Sequence, residues 1–173
     1  KLFRPRKHAE NRSVGKLMAD CKVIVAGAGP AGLAAAALLA KEGLATTVVA
    51  PAAGEDPRTV ALMQPSIQLL RYLDIWPGTL ESETSPLRKL RIIDDTGSLL
   101  VTPNLEFASQ DLNLEAFGWN VPLALLLPVL RRRAEDLGVT FVEATATGAV
   151  SRDGAIHVTL SNSTEISAAL CLA

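Results

Sequence analysis

The sequence predicts an α/β fold, with a parallel sheet built on a βαβ unit and an antiparallel β-meander after it. In the segment that begins at Lys22, an apolar run at residues 23–26 passes through three glycines into an alanine-rich helical pattern. A β-branched run follows at residues 45–50, and strand, helix and strand in under thirty residues imply a parallel pair. Near the end of the chain, turn residues separate three short strand patterns, as in a meander.

The residue types of the βαβ unit justify each of its elements. Apart from Lys22, the run CKVIVA is apolar throughout, as a strand buried on both faces requires. The helix is predicted from Pro30 to Glu42, because proline suits a first helical turn and Gly43 suits a C-terminal stop. The run ATTVVA, which ends at Ala50, has the β-branched composition of a strand.

Three glycines between the first strand and the helix, Gly27, Gly29 and Gly32, fit the pattern G-x-G-x-x-G. The first permits a tight turn, the second lets the backbone approach a pyrophosphate, and the third lets helix and strand pack closely. Pro30 and Ala31 complete the loop at the helix N-terminus, where free N–H groups and the dipole favour phosphate. This context predicts a Rossmann-like dinucleotide site; the competing interpretation is close packing without a ligand.

The second strand ends without the acid that usually binds the adenosine ribose of a dinucleotide. Ala50 stands there, while Glu55 and Asp56 come several residues later. No basic residue replaces the acid before Arg58, so a 2′-phosphate has no evident partner either. The sequence therefore argues against a nicotinamide dinucleotide as the preferred ligand of this loop. It does not identify the residue that would bind the adenosine ribose.

Short helices, strands and loops are predicted for the rest of the chain. We expect a loop at residues 51–59, a helix at 65–76, a hairpin at 87–101 turning at 95–98, an irregular segment at 102–118, and a helix at 123–137 kinked at Pro128. A strand at 139–144 precedes the meander strands at 147–151, 155–160 and 165–173. Since the last strand pattern runs to the final residue, we expect an incomplete domain.

Several segments resemble the N-terminal part of flavoprotein aromatic hydroxylases of the para-hydroxybenzoate hydroxylase type. GAGPAGLAAAALLAKEGL and the later DPRTVAL carry the general resemblance. PSIQLLRYLDIW, SPLRKLRIIDDTG and LEAFGWNVP make the ubiquinone-biosynthesis hydroxylases the most similar members. The resemblance covers roughly residues 21–173. The resemblance implies that residues 20–173 are the N-terminal part of an FAD-binding domain, with the start of a substrate domain around 86–120. Residues 1–19 are rich in basic residues and have little apolar periodicity, so we expect them to form a disordered tail.

This resemblance implies a flavin-dependent monooxygenase that binds FAD, is reduced by NAD(P)H and hydroxylates an aromatic small molecule with O2. In the most similar members that substrate is a polyprenylated phenol. The glycine loop would serve the FAD pyrophosphate, and Arg58 occupies the position of a family arginine near the flavin cofactor. The alternative for Arg58 is a solvated loop residue. The sequence departs from the family at Ala50 and at Leu123, where relatives often carry polar side chains, and we expect the fragment to be inactive alone.

Two other functions remain open on the sequence. One is an NAD(P)-dependent Rossmann oxidoreductase, and the other is a non-catalytic fragment or decayed dinucleotide-binding module. Catalytic residues are not identifiable. No metal site is expected, because His8 and His157 are isolated. We interpret Trp76 and Trp119 as packing residues.

Composition excludes several kinds of partner. A net charge of −1 gives no reason to expect nucleic acid. The longest apolar run, Val121 to Leu130, is too short for a membrane span and holds two prolines. Cys21 and Cys171 lack redox or metal spacing, so we expect reduced, buried thiols in a cytoplasmic protein. Peripheral contact with the inner membrane, association with ubiquinone-pathway enzymes and self-association of the fragment are left open.

Overall fold

The computed structural model describes residues 21–54, 56–93 and 105–173. The predicted tail at 1–19 and the predicted turn at 95–98 lie outside these residues. The described chain forms two compact units. The first contains residues 21–54 and 131–173, and the second contains residues 56–93 and 105–130.

Strands and helices alternate irregularly along the described chain. In order they are β1 (Val23–Ala26), α1 (Pro30–Lys41), β2 (Thr46–Ala50), β3 (Thr59–Met63), α2 (Gln64–Tyr72), β4 (Ser85–Leu87), β5 (Lys89–Ile92), β6 (Leu105–Ala108), β7 (Gly118–Pro122), α3 (Leu123–Asp136), β8 (Thr140–Glu143), β9 (Ala146–Arg152), β10 (Ala155–Leu160), β11 (Glu165–Ala168) and β12 (Leu170–Leu172). Short 3₁₀ turns at Gly78–Glu83 and Ser109–Leu112 complete the list.

A four-stranded parallel sheet is the centre of the first unit. Its strand order is β12-β1-β2-β8, and every neighbouring pair runs parallel. Helix α1 packs on β1 and β2 through Leu33, Ala36 and Ala37, which are buried. The predicted parallel βαβ unit is confirmed, and the helix bounds differ from the prediction by a single residue at the C-terminal end.

The β-meander packs on the sheet face opposite α1. Strands β9, β10 and β11 pair antiparallel, as predicted. Successive residues of a strand point to opposite faces, so Ile24 faces the meander while Val25 faces α1. One buried apolar cluster joins sheet and meander, and its members are Ile24, Val49, Ala144, Val158, Leu160, Ile166 and Ala168. The central sheet is therefore covered on both faces, which explains the continuous apolar run of β1.

The prediction of one long final strand is wrong. Residues 165–173 form two strands in different sheets: β11 completes the meander, and β12 pairs parallel with β1. The register places Cys171 beside Ile24. The edge of β1 away from β2 would otherwise present unpaired backbone groups, and β12 satisfies them.

Antiparallel pairs make up the second unit. Strands β3, β7 and β4 form one sheet, and β5 pairs with β6. The predicted irregular segment at 102–118 thus contains a strand that sequence reasoning missed, and the predicted loop at 51–59 runs into β3. Trp76 and Trp119 are 6% and 8% exposed, with ring centroids 5.3 Å apart. This tilted contact makes them packing residues.

Helix α3 begins at Leu123 and continues through Pro128 to Asp136. The predicted helix at 123–137 is confirmed to within one residue. Leu123, Leu126 and Leu130 lie on its buried side. Within the part of the chain that the structure describes, no helix has both the length and the apolar character to cross a membrane.

Because α1 approaches β1 closely at Gly32, adding one methyl group at this position should destabilise the fold. A Cβ at Gly32 would lie 2.2 Å from the carbonyl oxygen of Gly27, a backbone atom that cannot rotate away. Gly32→Ala should lower the free energy of unfolding by about 1–3 kcal/mol, measured by urea denaturation. Gly148→Ala is the matched control, because a Cβ there meets nothing within 4 Å, and it should change stability by less than about 0.5 kcal/mol. Equal destabilisation by both variants would contradict the close approach.

Candidate functional site

The sheet order places a crevice between β1 and β12. From β1 the chain moves through α1 to β2, with β8 beyond it, whereas β12 lies on the other side of β1. The strand order reverses at this point, and open α/β sheets bind ligands at such a switch point, outside the carboxyl ends of their strands. A cleft of about 370 Å³ lies there, lined by Val25, Ala26, Gly27, Gly29, Pro30, Ala31, Gly32, Ala35, Leu172 and Ala173.

Two of the three glycines are required by the protein's own geometry. Gly27 has a φ of 121°, a conformation that side chains disfavour, and its N–H donates to the Val49 carbonyl at 2.8 Å. Gly32 is required because any Cβ would strike the Gly27 carbonyl oxygen. Together these two glycines allow a sharp turn of the chain and close packing of the start of α1 against the end of β1.

Gly29 is not required by the protein's own geometry. Its φ of −73° and ψ of 176° are extended values that any residue adopts. A Cβ at Gly29 would meet no protein atom within 4 Å and would instead project into open space. The absence of a side chain keeps this space beside the cleft clear, as the close approach of a dinucleotide pyrophosphate requires.

The N-terminus of α1 offers hydrogen-bond donors to that space. The Leu33 N–H donates to the Gly29 carbonyl at 2.9 Å and starts the helical ladder. The N–H groups of Ala31 and Gly32 precede it and have no acceptor inside the helix. No side chain of the described residues caps this end, and the first turn carries no acid. Free donors at the positive end of the helix dipole suit a phosphate, so the loop fits a pyrophosphate.

Five of the six predicted site residues line this one cleft: Gly27, Gly29, Pro30, Ala31 and Gly32. Sequence reasoning missed Leu172 and Ala173, because their place depends on the pairing of β12 with β1. It also missed Ala35. The only sequence feature that could have indicated Ala35 as a lining residue is its position one helical turn after Ala31.

Arg58, the sixth predicted residue, belongs to the second unit. Its Nε and Nη2 donate to the carboxylate of Asp56 at 2.8 and 2.5 Å. The side chain of Arg58 is 77% exposed, and three of its five N–H donors are not used by this pair. Hydrogen bonds from the Arg58 side chain, and then its backbone N–H, lower the pKa of Asp56 to about 2. The carboxylate therefore stays ionised and holds the guanidinium at neutral pH.

The other side chains singled out in the sequence do not line the cleft. Leu123 is buried, so it contributes to the core rather than to a polar site. Cys21 and Cys171 are free but only half-buried, which corrects the prediction of buried thiols. Partial burial raises the pKa of the Cys171 thiol. His157 contacts Arg152 and Glu165 on the meander.

Residues 20–165 match the family model described as the FAD binding domain. No curated protein matches the chain in sequence. Many solved structures match it in fold. One is the OxyS anhydrotetracycline hydroxylase from Streptomyces rimosus, with 20% identity over 87% of this chain and 30% of that chain, at a TM-score of 0.69.

Two further structures extend the comparison. A flavin-dependent halogenase from Xanthomonas campestris is 17% identical over 87% of this chain and 41% of that chain, with a TM-score of 0.69. The flavin-dependent monooxygenase PieE, solved with FAD and substrate, is 17% identical over 86% of this chain and 28% of that chain, with a TM-score of 0.62. The TM-scores show a shared fold, and at these low identities the likeness shows the fold alone. The chain spans well under half the length of each of these structures.

Proposed function

This chain belongs to the FAD binding domain family, and we propose that it forms the FAD-binding part of a flavin-dependent monooxygenase. The observation that carries the proposal is Gly29. Neither its backbone angles nor its protein neighbours require glycine, whereas a pyrophosphate beside it does. The position of the cleft at the switch point of the sheet supports the same ligand.

The chain's own residues hold the cofactor through its phosphates. Donors on Ala31 and Gly32 bind pyrophosphate oxygens, and the α1 dipole favours their charge. Gly27 and Gly32 fix the loop so that these donors converge. The cleft is lined by glycine, alanine, proline, valine and leucine, so backbone groups rather than side-chain charges recognise the phosphates. Bound FAD supplies the redox chemistry, which includes accepting hydride and reacting with oxygen.

The substrate we propose for the whole protein is a polyprenylated phenol of ubiquinone biosynthesis, hydroxylated with O2 and with NAD(P)H as reductant. Its support is the resemblance of residues 65–76, 85–97 and 114–122 to the ubiquinone-pathway hydroxylases. In the structure the first of these segments includes all of α2 except its first residue, and the last includes β7. A prenylated substrate lies in membranes, so peripheral contact with the inner membrane and with enzymes of the same pathway belongs to this proposal.

Gly29→Val should abolish FAD binding while the fold persists. The added Cβ would meet no protein atom within 4 Å, and the branched side chain would take the place proposed for the pyrophosphate. Loss of a glycine at the helix N-cap costs about 1 kcal/mol. Flavin fluorescence during an FAD titration measures binding, and far-UV circular dichroism checks the fold.

Gly148→Val is the control for this experiment, since it adds the same side chain on β9 into open space. It should bind FAD like the unmodified chain. Equal FAD affinity in Gly29→Val would refute the proposed role of the loop. Binding of NADH or NADPH without FAD by the unmodified chain would favour the nicotinamide-dependent alternative.

Arg58→Ala should weaken FAD binding about tenfold, because a charge-assisted hydrogen bond to the cofactor would be lost. The three unused N–H donors of Arg58 allow this contact while Asp56 holds the side chain. Arg71→Ala removes the same charge from an exposed residue of α2 and should leave the dissociation constant unchanged. If both variants match the unmodified chain in calorimetry, Arg58 is a solvated loop residue.

A further inference from the structure

The adenosine half of a dinucleotide needs a hydrogen-bond acceptor that the second strand lacks. In Rossmann units an acid at the end of the second strand accepts a hydrogen bond from the ribose 2′-hydroxyl. Ala50 holds that place at the end of β2 and is half-buried. Its methyl group cannot accept a hydrogen bond, so a side-chain acceptor must come from another residue.

The strand next to β2 ends in an acid. Strand β8 runs parallel to β2, and its last residue, Glu143, is the register partner of Ala50. The N–H of the following residue, Ala144, donates to the Ala50 carbonyl at 3.1 Å, which fixes the register at the strand ends. Register partners of a parallel pair project to the same sheet face, and neighbouring strands lie about 4.8 Å apart. Glu143 therefore presents a carboxylate one strand beyond the usual position.

The residues before and after Glu143 are held in place, while its own side chain is free. Val142 packs against the buried cluster, and Ala144 is part of it. Phe141 is covered by the guanidinium of Arg131, 4.3 Å from the ring centroid. The side chain of Glu143 is exposed and makes no hydrogen bond or ion pair with another residue that the structure describes. A rigid backbone thus presents an unpaired acceptor at the edge of the sheet that carries the glycine loop.

We infer that Glu143 replaces the missing acid of β2 and accepts a hydrogen bond from the 2′-hydroxyl of the adenosine ribose of FAD. This inference rests on the proposed FAD-binding function. A pyrophosphate bound over the glycine loop would place the start of the adenosine half at the end of β1. Since β2 and then β8 follow β1 in the sheet, an adenosine half that crosses the end of β2 would bring its ribose past Ala50 and toward Glu143.

The test compares ADP with 2′-deoxy-ADP, which differ by the one hydroxyl in question and contain no flavin. Calorimetry on the unmodified chain should show about tenfold tighter binding of ADP, as expected for a hydrogen bond to a charged group. In Glu143→Ala the ratio of the two dissociation constants should fall to about one. The ratio is the readout because removing a negative charge affects both nucleotides equally.

Two further variants separate this role from a general effect of charge. Glu83→Ala removes an exposed acid of the second unit and should keep the tenfold ratio. Ala50→Glu combined with Glu143→Ala restores an acid at the usual position and should recover the preference for ADP. A structural role of Glu143 would not produce that recovery.

Failure of this inference differs from failure of the proposed function. If the unmodified chain binds neither FAD nor ADP, both are overturned. If it binds ADP and Gly29→Val abolishes that binding, the proposed function stands. An ADP preference that is absent from the unmodified chain, or unchanged in Glu143→Ala, then overturns the role of Glu143 alone.

Discussion

The site depends on one close contact, the approach of Gly32 to the carbonyl of Gly27. A Cβ at Gly32 would lie 2.2 Å from that oxygen, so only glycine lets the first turn of α1 rest on the end of β1. This contact sets the direction of the helix and brings the N–H groups of Ala31 and Gly32 to the cleft. Phosphate recognition follows from backbone placement, since the helix terminus and its dipole supply the attraction.

Packing on both faces of the parallel sheet keeps that contact in place. Helix α1 covers one face, and the meander covers the other through the buried cluster around Ile24 and Val49. Strand β12 adds the outer wall of the crevice by pairing with β1. The cleft therefore combines an early segment of the chain with strand β12, although about three-quarters of the sequence separates them.

Short sequence patterns predicted the elements whose formation depends on interactions between residues close in sequence. The apolar run of β1, the proline that opens α1 and the three glycines each act within a few residues, and the structure has them as predicted. Strand β12 pairs with the edge of β1 instead of extending the meander. This pairing depends on a strand far away in the sequence, so no local pattern predicts it. The pairing of Ala50 with Glu143 also joins residues that are distant in sequence. The sequence showed that an acid was missing at Ala50 but could not show which residue stands beside it.

The central claim is that the N-terminus of α1 holds the pyrophosphate of FAD. Backbone amide chemical shifts report directly on hydrogen bonds to these groups, so an ¹⁵N-labelled chain titrated with FAD tests the claim. The account predicts that the amide resonances of Ala31 and Gly32 move downfield, because their N–H groups gain charged acceptors, while the amide of Gly148 stays in place. Saturable FAD binding that leaves the Ala31 and Gly32 resonances unmoved would contradict the account.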